Sequence, residues 1–453
     1  MKVFLSTLGC RLNEAEITGL GRDFAKLGHH VVPQVEQADV VVINTCTVTQ
    51  EASRASRKLI RRIHRENPGA KVAVTGCYAS LEPHTVGQMP GVDVMVDNSD
   101  KDGLPFLLDE LFGSQGLDGG QGLDPLPDFR GRRATEVDSK HRFPVPESRP
   151  TEPGGRGVDI EYRGRRTRAF VKVQDGCNNR CAFCVVTLAR GPERSRPLAE
   201  VVDELNHLAD LGFLEAVLTG VHLGGYGRDF GSSLAELLEE ILHRTSFPRL
   251  RLGSLEPWEL SPELLEVWRD SRLCPHVHLP LQSGSDDVLR RMVRRYTVAE
   301  YAARVDEIRA IRRDVTLTTD IIVGFPGETD RDFAQTMETV KAIGFGHLHI
   351  FAYSLRPKTK AARLPDQLPR LVKRERSAAL RQVAAQMKLD HLSRFVGQVR
   401  PVLYESQGED GLWAGLTDNY LRTYSAGADL HNRIVPTKLI AIEGETLRGQ
   451  PFK

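Results

Sequence analysis

Two long stretches of this sequence alternate short apolar runs with amphipathic runs, and this alternation limits the possible folds more than any other feature. In the first stretch, residues 1–112, helices are predicted at 14–27, 50–66 and 102–112, and strands at Val3–Thr7, Val40–Asn44, Val72–Thr75 and Val92–Val96. Strands that alternate with helices of this length form a parallel sheet with helices on both faces. We therefore predict a doubly wound α/β domain over residues 1–112.

The second stretch, residues 161–355, repeats the alternation with longer helical runs. Predicted strands are 169–173, 216–221, 249–255, 276–281, 316–323 and 347–353, and predicted helices are 198–211, 233–244, 261–270, 285–293, 297–312 and 328–343. These six strand–helix units are fewer than the eight that close a TIM barrel. We predict an open, partial (β/α)6 barrel, within a domain of residues 161–395.

Three cysteines lie on one short segment directly after the first predicted barrel strand. Cys177, Cys181 and Cys184 are spaced C-x₃-C-x₂-C, with Gly176 and Asn178 among the loop residues beside them. Structural zinc sites use four ligands, and each corner of a cubane iron–sulfur cluster is normally bound by a thiolate. Three cysteines therefore leave one iron open to a small molecule. Buried structural thiols would instead scatter with a strand or helix period.

Three further cysteines each follow a predicted strand of the N-terminal domain. These are Cys10, Cys46 and Cys77. The carboxyl ends of parallel strands meet at one sheet edge, where open α/β sheets bind ligands. We predict a second cluster with an open iron at this edge. Asn13 and Asn44 are close in sequence, and are either hydrogen-bond donors to the sulfur atoms or ordinary caps and turns.

Polar residues follow several later strands of the predicted barrel. Glu256, Gln282 and Asp320 stand in or beside Gly- and Pro-containing segments, and they offer hydrogen bonds to the amine or ribose of a bound small molecule. The seventh cysteine, Cys274, is predicted to be a free buried thiol. We interpret His276 and His278 as strand residues and not as metal ligands.

Length and composition set broader limits. A chain of 453 residues exceeds one hydrophobic core, so two or three domains are expected. Eighteen consecutive apolar residues never occur, and the N-terminus shows no secretion signal, so we expect a cytoplasmic protein without a membrane span. Seven cysteines in such a protein favour metal or redox use over disulfides.

The formal net charge is only +1, so an anionic partner must be inferred from local patches. The predicted helix 50–66 has no acidic residue between Glu51 and Glu66, and its cations follow helical spacing: Arg54, Arg57, Lys58, Arg61, Arg62 and Arg65. Residues 356–395 are also rich in cations, including Lys373, Arg374 and Arg381, with one long helix predicted over Leu371–Phe395. Both runs suit an RNA backbone, although a solvated helix face is the commoner meaning of such a pattern.

The remaining segments are a linker and a small C-terminal module. Residues 113–160 lack apolar periodicity and contain many Gly and Pro, which predicts an interdomain linker that is partly disordered. Residues 396–453 are predicted to form a small all-β barrel, with strands at Val399–Glu405, Gly411–Gly415, Tyr420–Tyr424 and Thr437–Glu443. Its aromatic residues Trp413, Tyr420 and Tyr424 either stack on RNA bases or belong to its core.

In their order and their sequence motifs, these parts resemble the radical SAM (S-adenosylmethionine) methylthiotransferase family from end to end. The matching motifs are Thr7-Leu8-Gly9-Cys10, Ile43-Asn44-Thr45-Cys46-Thr47, Val74-Thr75-Gly76-Cys77, Gln174-Asp175-Gly176-Cys177 and Arg190-Gly191-Pro192-Glu193-Arg194-Ser195-Arg196. Two segments, 254–257 and 348–354, are most similar to the branch that acts on threonylcarbamoyladenosine in tRNA. Thr187 departs from the pattern, since the family commonly has proline there.

The resemblance implies two [4Fe–4S] clusters with different tasks. One, on Cys177, Cys181 and Cys184, would reduce SAM to a deoxyadenosyl radical that removes hydrogen from C2 of the adenine. The other, on Cys10, Cys46 and Cys77, would carry the sulfur, which a second SAM methylates. Phe183 fits the loop signature and, with Glu256, Gln282 and Asp320, is an expected SAM contact. Expected partners are the tRNA anticodon stem-loop and an electron donor of flavodoxin or ferredoxin type, and the C-terminal barrel would be a TRAM domain.

Two other interpretations stay open from the sequence. The same chemistry can act on isopentenyladenosine in tRNA or on a side chain of a ribosomal protein. A non-enzymatic RNA-binding protein stabilised by zinc or by clusters is the second alternative. The basic runs favour RNA over a protein substrate.

Overall fold

Parallel strands with covering helices make up most of the computed structural model, which describes residues 1–113 and 167–452. These residues divide into two units. The first contains residues 1–113 together with Val185–Pro192, and the second contains 167–184 and 193–452. The predicted linker 113–160 lies outside the described residues except for Gly113, so it and the predicted domain boundaries stay predictions.

The first unit is built on one parallel sheet of five strands in the order β2-β1-β3-β4-β5. Its elements are β1 (Lys2–Thr7), α1 (Arg11–Lys26), β2 (His30–Val31), β3 (Val40–Thr45), α2 (Gln50–Glu66), β4 (Lys71–Gly76), α3 (Cys77–Leu81), α4 (Pro83–Gly87), β5 (Val94–Met95), α5 (Leu104–Phe112) and the later α6 (Val186–Arg190). Separate apolar cores lie on the two faces of the sheet, one including Ile60 of α2 and the other Phe24 of α1. The predicted doubly wound fold is confirmed.

The second unit begins with six parallel strands that follow one another in space as they do in sequence. Its elements are β6 (Arg168–Lys172), β7 (Gln174–Asp175), β8 (Arg194–Ser195), α7 (Leu198–Asp210), β9 (Glu215–Thr219), α8 (Leu234–Arg244), β10 (Arg249–Leu252), α9 (Pro262–Val267), β11 (His276–His278), α10 (Asp286–Arg291), α11 (Val298–Ile311), β12 (Thr316–Val323), α12 (Asp330–Ile343) and β13 (His347–Ala352). The six parallel strands form two sheets, β6-β9-β10 and β11-β12-β13, which are joined by parallel bridges such as Ser254–His278. This is the predicted partial (β/α)6 barrel. The short strands β7 and β8 pair separately with each other.

Alternate residues of the barrel strands face the helices or the barrel interior. Leu317 and Ile321 of β12 belong to the large core shared with the helices. Thr318 and Asp320 therefore face the opposite side, the barrel interior, since side chains alternate along a strand. His278 pairs with Thr318, and His349 pairs with Asp320, so these two histidines share that interior face.

A long helix and a five-stranded barrel complete the second unit. Helix α13 (Arg370–Ser393) leads into β14 (Val399–Gln407), β15 (Trp413–Thr417), β16 (Arg422–Ser425), β17 (Ile434–Glu443) and β18 (Thr446–Pro451), which close in the order β14-β15-β16-β18-β17. The predicted small β-barrel is confirmed, although the sequence pattern missed β18. No helix within residues 1–113 and 167–452 is long and apolar enough to cross a membrane.

Apart from β18, the helices and strands that the pattern missed are short. They are β2, β7, β8, α3, α4 and α6, none longer than five residues. Elements of this length complete barely one helical turn or one strand alternation, so hydrophobic periodicity does not reveal them. Two of the missed helices, α3 and α6, lie directly after Gly76 and Val185, next to predicted cluster cysteines.

Candidate active site

The first predicted cysteine trio lies at the carboxyl edge of the N-terminal sheet. Cys10 stands between β1 and α1, Cys46 directly follows β3, and Cys77 directly follows β4 as the first residue of α3. These three strands are neighbours in the sheet. Gly9 has φ +123°, and a Cβ there would lie 2.7 Å from Cβ of Cys46. The turn that carries Cys10 therefore packs directly against Cys46, which only a glycine permits.

The three thiols of this trio differ in burial. Cys46 and Cys77 are buried, whereas Cys10 is exposed. Burial raises the pKa of Cys46 to about 11, so the free thiol stays protonated at neutral pH. Metal binding reverses this preference because the ligand is the thiolate. Three thiols at one edge, one of them reachable from solvent, fit a cluster that leaves one iron open.

Two asparagines contact sulfur atoms of this trio, but only one of them was predicted. Asn13 Nδ2 donates to the carbonyl of Leu8 at 2.8 Å, which turns Asn13 Oδ1 toward Cys10 Sγ, at 3.6 Å, as an acceptor. Asn44 donates to Glu16 instead. The donor is Asn98, with Nδ2 at 3.8 Å from Cys77 Sγ. The hypothesis that Asn13 and Asn44 donate to sulfur is therefore wrong, because each amide group is already used by other acceptors.

The second cysteine trio lies on the loop between β7 and α6. Gly176 has φ +71° and starts this loop, and all three cysteines are half-buried. Burial raises the pKa of Cys177 to about 11. The backbone N–H of Asn179 donates to Cys177 Sγ at 3.4 Å. Donors that point at sulfur stabilise thiolate ligands, so this loop also fits a cluster.

Arg294 is a site residue that the sequence pattern did not reveal. Its Nη1 donates to Cys181 Sγ at 3.3 Å and to Glu256 Oε1 at 3.2 Å. Its guanidinium lies 5.0 Å from the ring centre of Trp258 and 5.2 Å from that of Tyr296. Glu256, an expected SAM contact, is thus engaged by a buried arginine that reaches the cysteine loop.

We expect Arg294→Lys to slow SAM cleavage about tenfold, because lysine cannot keep the planar fork to Glu256 and also donate to Cys181. Losing one hydrogen bond to a charged group costs about 1.5–3 kcal/mol. The rate of 5′-deoxyadenosine formation measures this. Arg290→Lys, at a side chain that is 75% exposed, is the control. Equal rates for both variants would contradict a role for Arg294 at the loop.

His222 fixes the other side of the loop. Its Nδ1 lies 2.6 Å from Glu193 Oε1, and its Nε2 contacts Glu259 and lies 3.0 Å from Asn179 Nδ2. Although burial opposes it, the hydrogen bonds and charges of Glu259 and Glu193 raise the pKa of His222. Ligand atoms of Cys177, Glu193 and His222 lie within 4.8 Å of one another. The imidazole therefore connects the loop to two carboxylates.

The other expected SAM contacts lie on the same side of the barrel. Phe183 is half-buried and packs in an apolar cluster with Ala182, Ile322 and Phe325. Gln282 is buried and has φ +66°, a costly conformation for a residue with a Cβ, and such strain is concentrated at functional sites. Asp320 lies 3.3 Å from Nε2 of His278. Contact of these residues with SAM stays a prediction.

Most of the predicted RNA-binding cations are exposed. On α2, Arg54, Lys58 and Arg61 are exposed, whereas Arg57 donates to the Tyr78 hydroxyl at 3.0 Å. On α13, Arg374 and Arg381 are exposed, whereas Lys373 is half-buried and donates to the Tyr353 carbonyl.

Some cations of residues 356–395 already have partners within the protein. Arg376 pairs with Glu328 and Asp330, and Lys388 pairs with Glu445. Counting acids within the segment alone therefore overestimated its free positive charge. In the small barrel, the Tyr420 ring stacks on His276 with centroids 4.4 Å apart, so it serves internal packing.

Two family models match this chain. The radical SAM superfamily model matches residues 171–340, which include the second cysteine trio. A model described as uncharacterized protein family UPF0004 matches residues 2–97, which include the first trio. Each trio therefore lies within a separate matched region.

Named relatives match over nearly the whole length. The threonylcarbamoyladenosine tRNA methylthiotransferase MtaB of Bacillus subtilis is 35% identical, covering 97% of this chain and 93% of that protein. MtaB of Thermotoga maritima is 36% identical over 93% of this chain and 90% of its own length. The tRNA-2-methylthio-N(6)-dimethylallyladenosine synthase of Stutzerimonas stutzeri is 34% identical, covering 96% and 92%.

A solved structure supports the fold alone. The radical S-adenosylmethionine methyltransferase TsrM from Kitasatospora setae, with cobalamin and a [4Fe–4S] cluster bound, aligns with TM-score 0.58 at 19% identity, covering 91% of this chain and 80% of that one.

Proposed function

Because the chain belongs to the radical SAM methylthiotransferase family, we propose that it adds a methylthio group to C2 of N6-threonylcarbamoyladenosine next to the anticodon of tRNA. The chain is a radical SAM methylthiotransferase, which implies a [4Fe–4S] cluster and SAM. The observation that carries the proposal is the presence of two separate cysteine trios, each at the carboxyl edge of a parallel sheet. Inserting sulfur at a C–H bond needs both a radical source and a sulfur source, and side chains supply neither.

Each trio would hold one [4Fe–4S] cluster. Cys177, Cys181 and Cys184 would hold the cluster that binds SAM and, reduced by a flavodoxin- or ferredoxin-type donor, supplies the deoxyadenosyl radical. Cys10, Cys46 and Cys77 would hold the cluster that supplies the sulfur. Among the chain's own residues, Arg294 and the backbone of Asn179 hold loop sulfur atoms in place.

The expected SAM contacts Phe183, Glu256, Gln282 and Asp320 form the cofactor side of the proposed site. Phe183 supplies an apolar surface beside the loop, and Glu256 reaches the loop through Arg294. Gln282 and Asp320 are held next to each other, since the backbone N–H of Gln282 donates to the Asp320 carbonyl at 2.8 Å.

The polar interior of the barrel favours threonylcarbamoyladenosine over dimethylallyladenosine. His278, Asp320 and His349 bring one ligand atom each within 4.8 Å of one another. On β12, Asp320 lies two residues, about 7 Å, before Ile322. Ile322 packs against the same apolar cluster as Phe183 of the cysteine loop. A threonylcarbamoyl group offers a carboxylate, a hydroxyl and N–H groups to such side chains. An apolar dimethylallyl group offers no hydrogen bond to these side chains, so it gains nothing from this polar lining.

A paired substrate assay tests this choice. Reconstituted enzyme is given anticodon stem-loops that differ only in the N6 substituent, and products are identified by nucleoside mass spectrometry. We expect kcat/KM for the threonylcarbamoyl substrate to exceed that for the dimethylallyl substrate by about 100-fold or more, since sites built for polar groups reject apolar analogues strongly. Preference for the dimethylallyl substrate would overturn the substrate assignment. Activity on neither RNA would point to a protein substrate.

The exposed cations of α2 are proposed to bind the tRNA backbone. Replacing Arg54, Lys58 and Arg61 together with Gln removes three charges, so the slope of log affinity against log salt should fall by about 2–3. Filter binding of tRNA at several salt concentrations measures it. The matched control replaces three other exposed cations, Lys26, Arg269 and Arg290. An equal salt slope for both triple variants would exclude α2 from the RNA interface.

A further inference from the structure

A buried polar network in the first unit lies beside the auxiliary cysteine trio, Cys10, Cys46 and Cys77. Glu16 is at its centre and accepts hydrogen bonds from Arg190 Nη1 at 2.6 Å, from Asn44 Nδ2 at 3.0 Å and from Lys101 Nζ. The side chains of Glu16, Arg190 and Lys101 are each only 2% exposed. Buried charges of this kind are rare unless they are paired. Among these three, two cations face one carboxylate.

The network reaches two of the three cysteines through asparagines. Arg190 Nη2 donates to Asn13 Oδ1 at 2.9 Å, the same oxygen that lies 3.6 Å from Cys10 Sγ. Lys101 Nζ donates to Asn98 Oδ1 at 3.3 Å, and Asn98 Nδ2 lies 3.8 Å from Cys77 Sγ. The two cations thus each act on a cysteine through one amide group.

Arg190 comes from a distant part of the sequence. It ends α6, six residues after Cys184, and the segment Val185–Pro192 belongs to the first unit. Asn98 Nδ2 also donates to the carbonyl of Ala189 at 2.8 Å, which fixes this segment in place.

We propose that Arg190 is a positioning residue for the auxiliary cluster, where it orients Asn13 and Glu16 and sets a buried positive charge beside the cysteine ligands. This rests on the proposed function, in which Cys10, Cys46 and Cys77 hold that cluster. A buried charge acts through a low effective dielectric, so it favours the more negative, reduced state of a nearby cluster. A purely structural ion pair would stabilise the fold without changing the redox behaviour.

The test uses the full chain with Cys177, Cys181 and Cys184 replaced by Ala, so that the auxiliary cluster is the only one observed. The midpoint potential is measured by a redox titration followed by electron paramagnetic resonance. We expect Arg190→Met to lower the reduction equilibrium constant at least tenfold, which is about 59 mV for one electron. Arg190→Lys keeps the charge, so its midpoint potential should fall by less than half as much as that of Arg190→Met. Lys26→Met, at a side chain that is 72% exposed, is the control.

An Arg190→Met protein with normal iron content and an unchanged potential overturns the proposal. If that variant does not load iron, Glu16→Gln decides, because removing the carboxylate must raise the potential. An unchanged or lower potential in Glu16→Gln also overturns it. If the triple-alanine chain itself binds no cluster after anaerobic reconstitution, the proposed function fails, and this result is distinct from a failure of the role of Arg190.

Discussion

Replacing Cys177 with alanine is expected to abolish reductive cleavage of SAM, by at least about 10³-fold, because the electron would come from the reduced cluster that this loop would hold, and no side chain can replace that cluster. The loop offers three sulfur atoms, and Cys177 Sγ accepts the N–H of Asn179 and lies within 4.8 Å of the Glu193–His222 pair. Losing one of three ligands leaves two corners of the cluster without protein thiolates. The measurement is 5′-deoxyadenosine formation with a strong chemical reductant.

Cys274 provides the matched control for this variant. It is a cysteine of the same unit, 2% exposed, in the segment between β10 and β11 and outside both trios. Cys274→Ala should keep SAM cleavage within about threefold of the parent, because distant sites act independently. Retained deoxyadenosine formation in Cys177→Ala would show that this loop does not hold the cluster that cleaves SAM.

The second large effect concerns Cys46, in the N-terminal sheet. We expect Cys46→Ala to keep SAM cleavage but to yield no methylthiolated nucleoside, because the two cysteine trios belong to different units and have different tasks. Burial raises the pKa of the Cys46 thiol to about 11, and a cluster bound there would hold it as the thiolate. Iron content should therefore fall from about eight to about four atoms per chain.

Two measurements on the same Cys46→Ala sample separate the possible outcomes. Mass spectrometry of the RNA reports methylthiolation, and chromatography of the small molecules reports deoxyadenosine. Methylthiolated RNA made at the parental rate would show that the N-terminal trio does not hold the cluster that supplies the sulfur. Loss of both products would show instead that the two sites depend on each other.

The architecture and the placement of six cysteines at sheet edges could be predicted because both depend on local patterns. Six barrel strands and their helices repeat with regular spacing, and each predicted cluster cysteine follows a strand, so parallel topology alone brings each set to a sheet edge. The closed C-terminal barrel was predicted with one strand missing, since β18 (Thr446–Pro451) contains Gly449 and Pro451, which weaken a strand pattern.

Contacts between distant residues could not be predicted in this way. Arg190 meets Glu16 across 174 residues, and Arg294 meets Cys181 across 113. In the sequence, Glu16 is only one polar residue of an amphipathic helix. Arg190 begins one of the family motifs, but the motif does not indicate which residue Arg190 contacts. For the same reason, the ion pairs of Arg376 could not be predicted, since its acidic partners lie outside residues 356–395.

Nucleoside mass spectrometry of tRNA from cells that lack this chain tests directly whether the chain methylthiolates threonylcarbamoyladenosine. We expect 2-methylthio-N6-threonylcarbamoyladenosine to disappear while N6-threonylcarbamoyladenosine accumulates, and we expect the wild-type chain, but not the Cys177→Ala chain, to restore the modified form. Unchanged 2-methylthio-N6-threonylcarbamoyladenosine in those cells, with loss of a different methylthiolated product, would contradict this expectation.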